Sequence, residues 1–229
     1  MQPHIMWHFI AILMKLEGNN EMRIVLINGS PRANKSTSAH FLETLIQQLP
    51  EENIVELQVN HPRLEISQIK EIQNCDALVF CFPVYVDAIP SHLVKVLQEL
   101  ISVPFQTKPT VYALINCGFY EGEHAQLCLE MLKHWCNRIG FPWGQGLGIG
   151  GGEMFGQLKK VAFGFGPKKT LGKALTHFAQ NIKTLASGST QYVSPNFPRS
   201  LFVLFGSQGW KAQAKANGLA ARDLYKNPY

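Results

Sequence analysis

The sequence predicts an α/β protein whose parallel sheet is covered by helices on both faces. Three observations predict it. Short, continuous apolar runs recur at residues 23–28 (RIVLIN), 77–82 (ALVFCF) and 110–116 (TVYALIN). Segments with apolar residues at helical spacing separate such runs, and Gly, Pro and Ser mark the junctions. Apolar runs without alternation belong to strands buried on both faces, and strand–helix alternation places them side by side in parallel with right-handed crossovers.

Each element follows from its residues. The strand at 23–28 is ended by Gly29-Ser30-Pro31. Residues 36–49 carry Phe41, Leu42, Leu45, Ile46 and Leu49 on one helical face, and Pro50 closes the helix. A second strand is expected at 54–59, and Ile66, Ile69 and Ile72 mark a short helix before the third strand at 77–82. Pro90 opens a helix through Ile101; the strand at 110–116 and a helix at 123–139 follow. Residues 143–150 read as a weaker, Gly-rich fifth strand and 170–185 as the last helix of a five-stranded unit. In such a sheet, ligands lie beyond the carboxyl ends of the strands, so the loops at 29–37, 83–89, 116–122 and 150–156 converge on one crevice.

With 229 residues, 46% hydrophobic and 16% charged, the chain has the composition of one globular domain with an addition, which excludes disordered and collagen-like classes. Five cysteines without a C-x-x-C pair favour neither a disulfide framework nor a Cys-based metal site, and a reducing cytoplasm is expected. No metal site is expected from the dispersed histidines either. The apolar stretch 5–14, interrupted by His8, is far short of a membrane span and lacks the basic flank of a signal peptide. Residues 1–21 are read as an extension ahead of Met22, itself the expected natural start, 22–187 as the main domain and 188–229 as a C-terminal arm.

Charge is unevenly placed. Residues 1–152 carry ten Lys/Arg against fourteen Asp/Glu, a net of −4; residues 153–229 carry eleven against two, a net of +9. The arm is read as basic short helices broken by a glycine cap at Gly218 and packed on the acidic body or on a partner subunit. A membrane-surface helix ranks after that reading. Nucleic-acid binding ranks lower, because the lysines are dispersed.

The segment from Asn28 to Thr37 has the chemistry of an anion cradle. Gly29 permits a tight bend, Ser30, Asn34, Ser36 and Thr37 offer polar side chains, Arg32 and Lys35 offer charge, and the first-turn amides of the next helix point the same way. The simpler alternative is a helix cap, for which one hydroxyl suffices. Read as G-x-x-x-x-G-K-[ST], residues 29–36 nearly form a nucleotide P-loop, but Asn34 replaces the second Gly and Pro31 removes an amide donor. The G-x-G-x-x-G fingerprint is missing from this loop.

At these residues the chain resembles the flavodoxin-like NAD(P)H-dependent FMN reductases and quinone reductases. The likeness rests on N-G-S-P-R-x-N-x-S-T at 28–37, on Phe82-Pro83-Val84-Tyr85 with Ile89-Pro90, and on Asn116-Cys117-Gly118. It covers roughly residues 22–185 and implies a flavodoxin-like, doubly wound fold. It also implies that Ser30, Arg32, Asn34, Ser36 and Thr37 hold the FMN phosphate and that Pro83, Val84, Tyr85 and Val86 line the isoalloxazine. Asn116, Cys117, Gly118 and Phe119 would approach its pyrimidine edge. Position 36, often Asn in the family, is Ser here. No cysteine cluster follows the second strand, which sets aside the iron–sulfur branch.

The resemblance implies an oxidoreductase in which NAD(P)H reduces bound FMN and a quinone, nitro, azo or free-flavin acceptor takes the electrons. FMN carries the hard chemistry, so no catalytic side chain is required. A Cys117 nucleophile with His124 as base is disfavoured, since neither has an identifiable acid partner. A homodimer is expected, and Gly150-Gly151-Gly152 is read either as letting a neighbouring subunit or the nicotinamide approach or as a flexible linker. The rival readings are a flavodoxin-type electron carrier, which would not oxidise NAD(P)H directly, and a P-loop nucleotide enzyme.

Overall fold

The computed structural model describes residues 22–32, 36–50 and 52–226. The expected extension at 1–21 and the loop residue Asn34 lie outside the described residues. In chain order the elements are β1 (Arg23–Asn28), α1 (Thr37–Ile46), β2 (Asn53–Gln58), α2 (Ile66–Gln73), β3 (Ala77–Pro83), α3 (Ser91–Ile101) and β4 (Thr110–Asn116). A 3₁₀ turn (Gly122–Ala125) leads into α4 (Gln126–Ile139), followed by β5 (Trp143–Ile149), α5 (Gly152–Gln157), α6 (Lys169–Lys183), β6 (Gln191–Val193) and α7 (Arg199–Ala216).

The sheet has six strands in the order β2-β1-β3-β4-β5-β6, every neighbouring pair parallel. Winding reverses between β1 and β3, which sets the switch point there. The expected five-strand count is therefore corrected to six. β6 pairs three residues with Leu147–Ile149, so the sheet runs on into the segment expected to be the arm. Three residues are too few to show a period, and what makes them a strand is the β5 edge beside them.

Alternation along the strands divides the core. Val25, Ile27, Leu78, Phe80, Phe82, Val111, Ala113 and Ile115 face the layer of α2, α3 and α4. Ile24, Leu26, Ala77, Val79, Cys81, Tyr112 and Leu114 face α1, α5 and α6. The register slips between Val111 and Tyr112 against β5, which puts Trp143 on one face and Leu147 and Ile149 on the other. The Gly-rich character of β5 has a steric cause: a Cβ at Gly146 would sit 2.7 Å from Leu129 Cδ2.

The C-terminal arm is helical on both sides of Gly218, as expected, but its first helix is long. The break expected at Gly218 is present, with Gly218 left-handed and a short 3₁₀ helix (Ala221–Tyr225) after it; ahead of it stands one 18-residue helix, α7, longer than expected because it runs through Gly206 and Gly209. An internal Gly costs a helix about 1 kcal/mol, and the segment contains no proline to break the hydrogen-bond ladder. No helix among the described residues is long and apolar enough to cross a membrane.

Candidate functional site

At the carboxyl end of β1 the chain turns under strong constraint. Asn28 Oδ1 accepts the Ser30 N–H at 3.1 Å, and Ser30 Oγ accepts the Arg32 N–H at 3.3 Å. Gln58 Nε2 donates to the carbonyls of Asn28 and Ser30 at 3.2 and 3.0 Å. His92 Nε2 lies 3.2 Å from the Gly29 carbonyl and 3.1 Å from that of Val59. Gly29 is dictated by close approach, since a Cβ there would meet Leu93 Cδ2 at 2.7 Å. Gln58 and His92 were not legible as site residues, because the contacts that give them this role span 28 and 63 positions of chain.

The loop then delivers the amino end of α1. Ser36 is the N-cap, its Oγ accepting the Ala39 N–H at 3.1 Å. A helix leaves its first four amides without intrahelical partners, and Thr37 and Ser38 carry two of these at the amino end of α1. Ser30 and Ser36 are buried and Arg32 is exposed. Helix α5 stacks on this turn so closely that a Cβ at Gly156 would lie 2.9 Å from Thr37 Oγ1. One helical turn along, the fully buried Lys168 brings its Nζ to 3.3 Å from His40 Nε2 and 4.4 Å from the Phe163 ring centroid. Burial pushes the Lys168 ammonium below its ordinary range, and burial, then the Lys168 charge, lower His40.

After β3, Pro83 and Val84 are half-buried and Tyr85 and Val86 reach solvent. The Tyr85 and Ala88 amides donate to each other's carbonyls at 3.2 and 3.1 Å, closing a two-residue turn in which Val86 (φ 49°) and Asp87 (φ 57°) are both left-handed. Such a turn normally holds Asn or Gly, and a β-branched residue there is strained. Val86 is 98% exposed, so contacts among the described residues do not repay the strain.

After β4 the four expected residues divide into two pairs. Asn116 turns its side-chain amide inward, donating to Ser38 Oγ at 3.0 Å and to the Phe82 carbonyl at 3.3 Å, while its carbonyl accepts the Val84 N–H. Cys117 donates its N–H to Ile149, accepts from Gly152, and points its buried thiol at the carbonyls of Phe119 and Glu121. Burial pushes that thiol up to about 11. These two residues form the wall that joins the loops, whereas Gly118 and Phe119 are exposed. The Phe119 ring lies 4.4 Å from that of His124.

The profile of the NADPH-dependent FMN reductases matches residues 22–143, more than half of the chain. The chain belongs to the NADPH-dependent FMN reductase family. No curated protein sequence matches it. Among solved structures, the apo form of an NADH:FMN oxidoreductase superposes with a TM-score of 0.56 at 18% identity, over 73% of this chain and 91% of that one. An FMN-dependent NADH-azoreductase from Bacillus anthracis gives 0.51 at 14%, over 72% and 100%. An NAD(P)H:quinone oxidoreductase from Methanothermobacter marburgensis gives 0.51 at 13%, over 71% and 96%. Identities this low speak for the fold alone.

As a member of the FMN reductase family the protein is an NAD(P)H-dependent oxidoreductase with FMN as its cofactor. The residues fit the group. A phosphate needs convergent donors at positive potential, and the β1–α1 turn supplies hydroxyls, first-turn amides and the helix dipole. The sheet's switch point supplies the cleft between that turn and the loops after β3 and β4.

Proposed function

We propose that FMN lies across the carboxyl edge of β1, β3 and β4, and that the reduced cofactor passes its electrons to a quinone, nitro, azo or free-flavin acceptor. The observation that carries this reading is the β1–α1 turn, where buried polar groups and the amino end of α1 converge in a loop braced by Gln58 and His92. In this reading Ser30, Arg32, Asn34, Ser36 and Thr37 hold the phosphate. Pro83, Val84, Tyr85 and Val86 form the edge against which the ring system rests. With Asn116 and Cys117 committed to the wall, the backbone at Gly118 and Phe119 faces the pyrimidine edge.

FMN, when bound, accepts hydride from NAD(P)H and releases two electrons to an acceptor. The chain's own tasks are binding and orientation. The turn at Val86 and Asp87 sets the position of Tyr85. The domain is proposed to begin near Met22 and to carry α7 as an arm. A homodimer is proposed as well, since Leu201 and Leu204 leave apolar surface on α7 open to solvent, as is a reducing cytoplasmic setting for its free, buried cysteines. Anaerobic addition of NADPH to the FMN-loaded protein tests the reading. Bleaching of the flavin absorption, restored by adding a quinone, is the expected result; a spectrum that does not respond to NADPH contradicts it.

A further inference from the structure

A cavity of about 900 Å³ lies between the loop after β4, helix α5 and the inner side of α7. It touches the proposed flavin crevice at Gly118 and Phe119. Most of its remaining wall comes from residues beyond the family-matched segment 22–143, so it is a feature of this chain rather than of the shared domain.

Helix α7 is fastened over the cavity at its amino end. Arg199 Nε donates to Glu121 Oε1 at 2.7 Å, Tyr120 Oη donates to the Phe197 carbonyl at 2.8 Å, and the Tyr120 ring meets Phe202 edge-on at 5.4 Å. Inside, flat apolar surface dominates. Phe119, Phe205 and Trp210 line the space and remain 59%, 62% and 62% exposed, an arrangement that leaves ring faces and edges free for a guest. The volume matches that of drug-sized ligand pockets, up to about 1,000 Å³.

Charge narrows the choice of guest. Three charged residues line the cavity: Glu121, Arg199 and Glu153. The first two neutralise each other, which leaves the exposed Glu153 carboxylate. Of the surplus positive charge of the C-terminal third, only the paired Arg199 lines this space, so an anionic guest would meet the Glu153 carboxylate with no unpaired cation in the wall.

We propose that this cavity is the acceptor site and that α7 makes it selective for uncharged, flat, fused-ring aromatic oxidants over anionic ones. The proposal rests on the flavin reading above. For a naphthoquinone the balance is complete: the donor's nicotinamide C–H bond breaks and hydride leaves it, one further proton comes from solvent, and two O–H bonds form as quinone becomes hydroquinone and NAD(P)H becomes NAD(P)⁺.

Steady-state kinetics of the FMN-loaded full chain with 2-methyl-1,4-naphthoquinone, 1,4-naphthoquinone-2-sulfonate and ferricyanide test it. Trp210→Ala and Phe205→Ala are each expected to raise KM for the neutral quinone about tenfold, the effect of losing an aromatic anchor worth roughly 1.4 kcal/mol, without a matching rise for NADPH or ferricyanide. The sulfonate is expected to be the poorer substrate of the wild type, and Glu153→Gln to narrow that gap. Unchanged quinone KM in both α7 variants, equal use of the two quinones, or a KM effect confined to NADPH overturns the proposal while NADPH still bleaches the flavin. Loss of bleaching in the wild type overturns the flavin reading itself, and this proposal with it.

Discussion

Glu121 Oε1 accepts a hydrogen bond from Arg199 Nε at 2.7 Å, and this contact ties the amino end of α7 to the loop that follows β4. The bond to Arg199 holds the Glu121 carboxyl below its ordinary range. A carboxylate with a lowered folded-state pKa contributes above the unfolded value and stops contributing as pH falls through the lowered one, so the clasp is complete at neutral pH and opens in acid. Both partners are open to solvent, where ion pairs contribute little to global stability. Arg199→Ala should therefore leave thermal unfolding nearly unchanged and accelerate amide hydrogen exchange across 199–216. Unchanged exchange would show that the clasp does not hold the helix.

Thr37 and Arg32 give the most direct chemical test of the phosphate loop. Arg32→Ala and Thr37→Ala are each expected to weaken FMN binding by about 1–3 kcal/mol through a lost hydrogen bond to a charged group. Fluorescence titration of FMN measures it, and wild-type affinity in both variants would remove the loop from the site.

Val86 tests whether the strained turn serves function. A non-glycine left-handed residue costs of order 1–3 kcal/mol, and glycine gives back about 0.5–1 kcal/mol of that relief as chain entropy. Val86→Gly should accordingly stabilise the protein by about 1 kcal/mol in urea unfolding while weakening FMN binding. A destabilised variant would mean that Val86 is not strained in the folded protein.

The cysteines should be inert in the native state. Burial raises Cys75, Cys128 and Cys136 to about 12 and Cys117 to about 11, and raises Cys81 further. Thiols whose folded pKa lies above the unfolded value contribute stability that is fully present below the ordinary thiol range and is lost as pH rises through the folded values. Unfolding should become easier as pH climbs from about 9 toward 12, and a thiol-reactive dye at pH 8 should label the native protein only after denaturant is added. Stoichiometric labelling of any of these cysteines without denaturant would contradict the burial described here.

Much of this architecture was written locally. The limits of β1 and β4 follow from their apolar runs and the turn residues that end them, and the β1–α1 loop could be read because its hydroxyls, glycine and charges are consecutive. What escaped the sequence depends on chain brought from far away. β6 exists only as an addition to the edge of β5, and Gln58 and His92 acquire their role by reaching back to the β1 turn. The inward aim of Asn116 is decided by Ser38, 78 positions away. The cavity under α7 needs Arg199 to find Glu121 across the same separation.

The account turns on FMN occupying the carboxyl edge of the sheet, and equilibrium titration of the apoprotein with FMN, followed by flavin fluorescence, measures that most directly. Saturable binding at one FMN per chain, weakened in the Thr37→Ala variant, is the predicted result. An excess of FMN that leaves the fluorescence unaltered in the folded wild-type protein would contradict it.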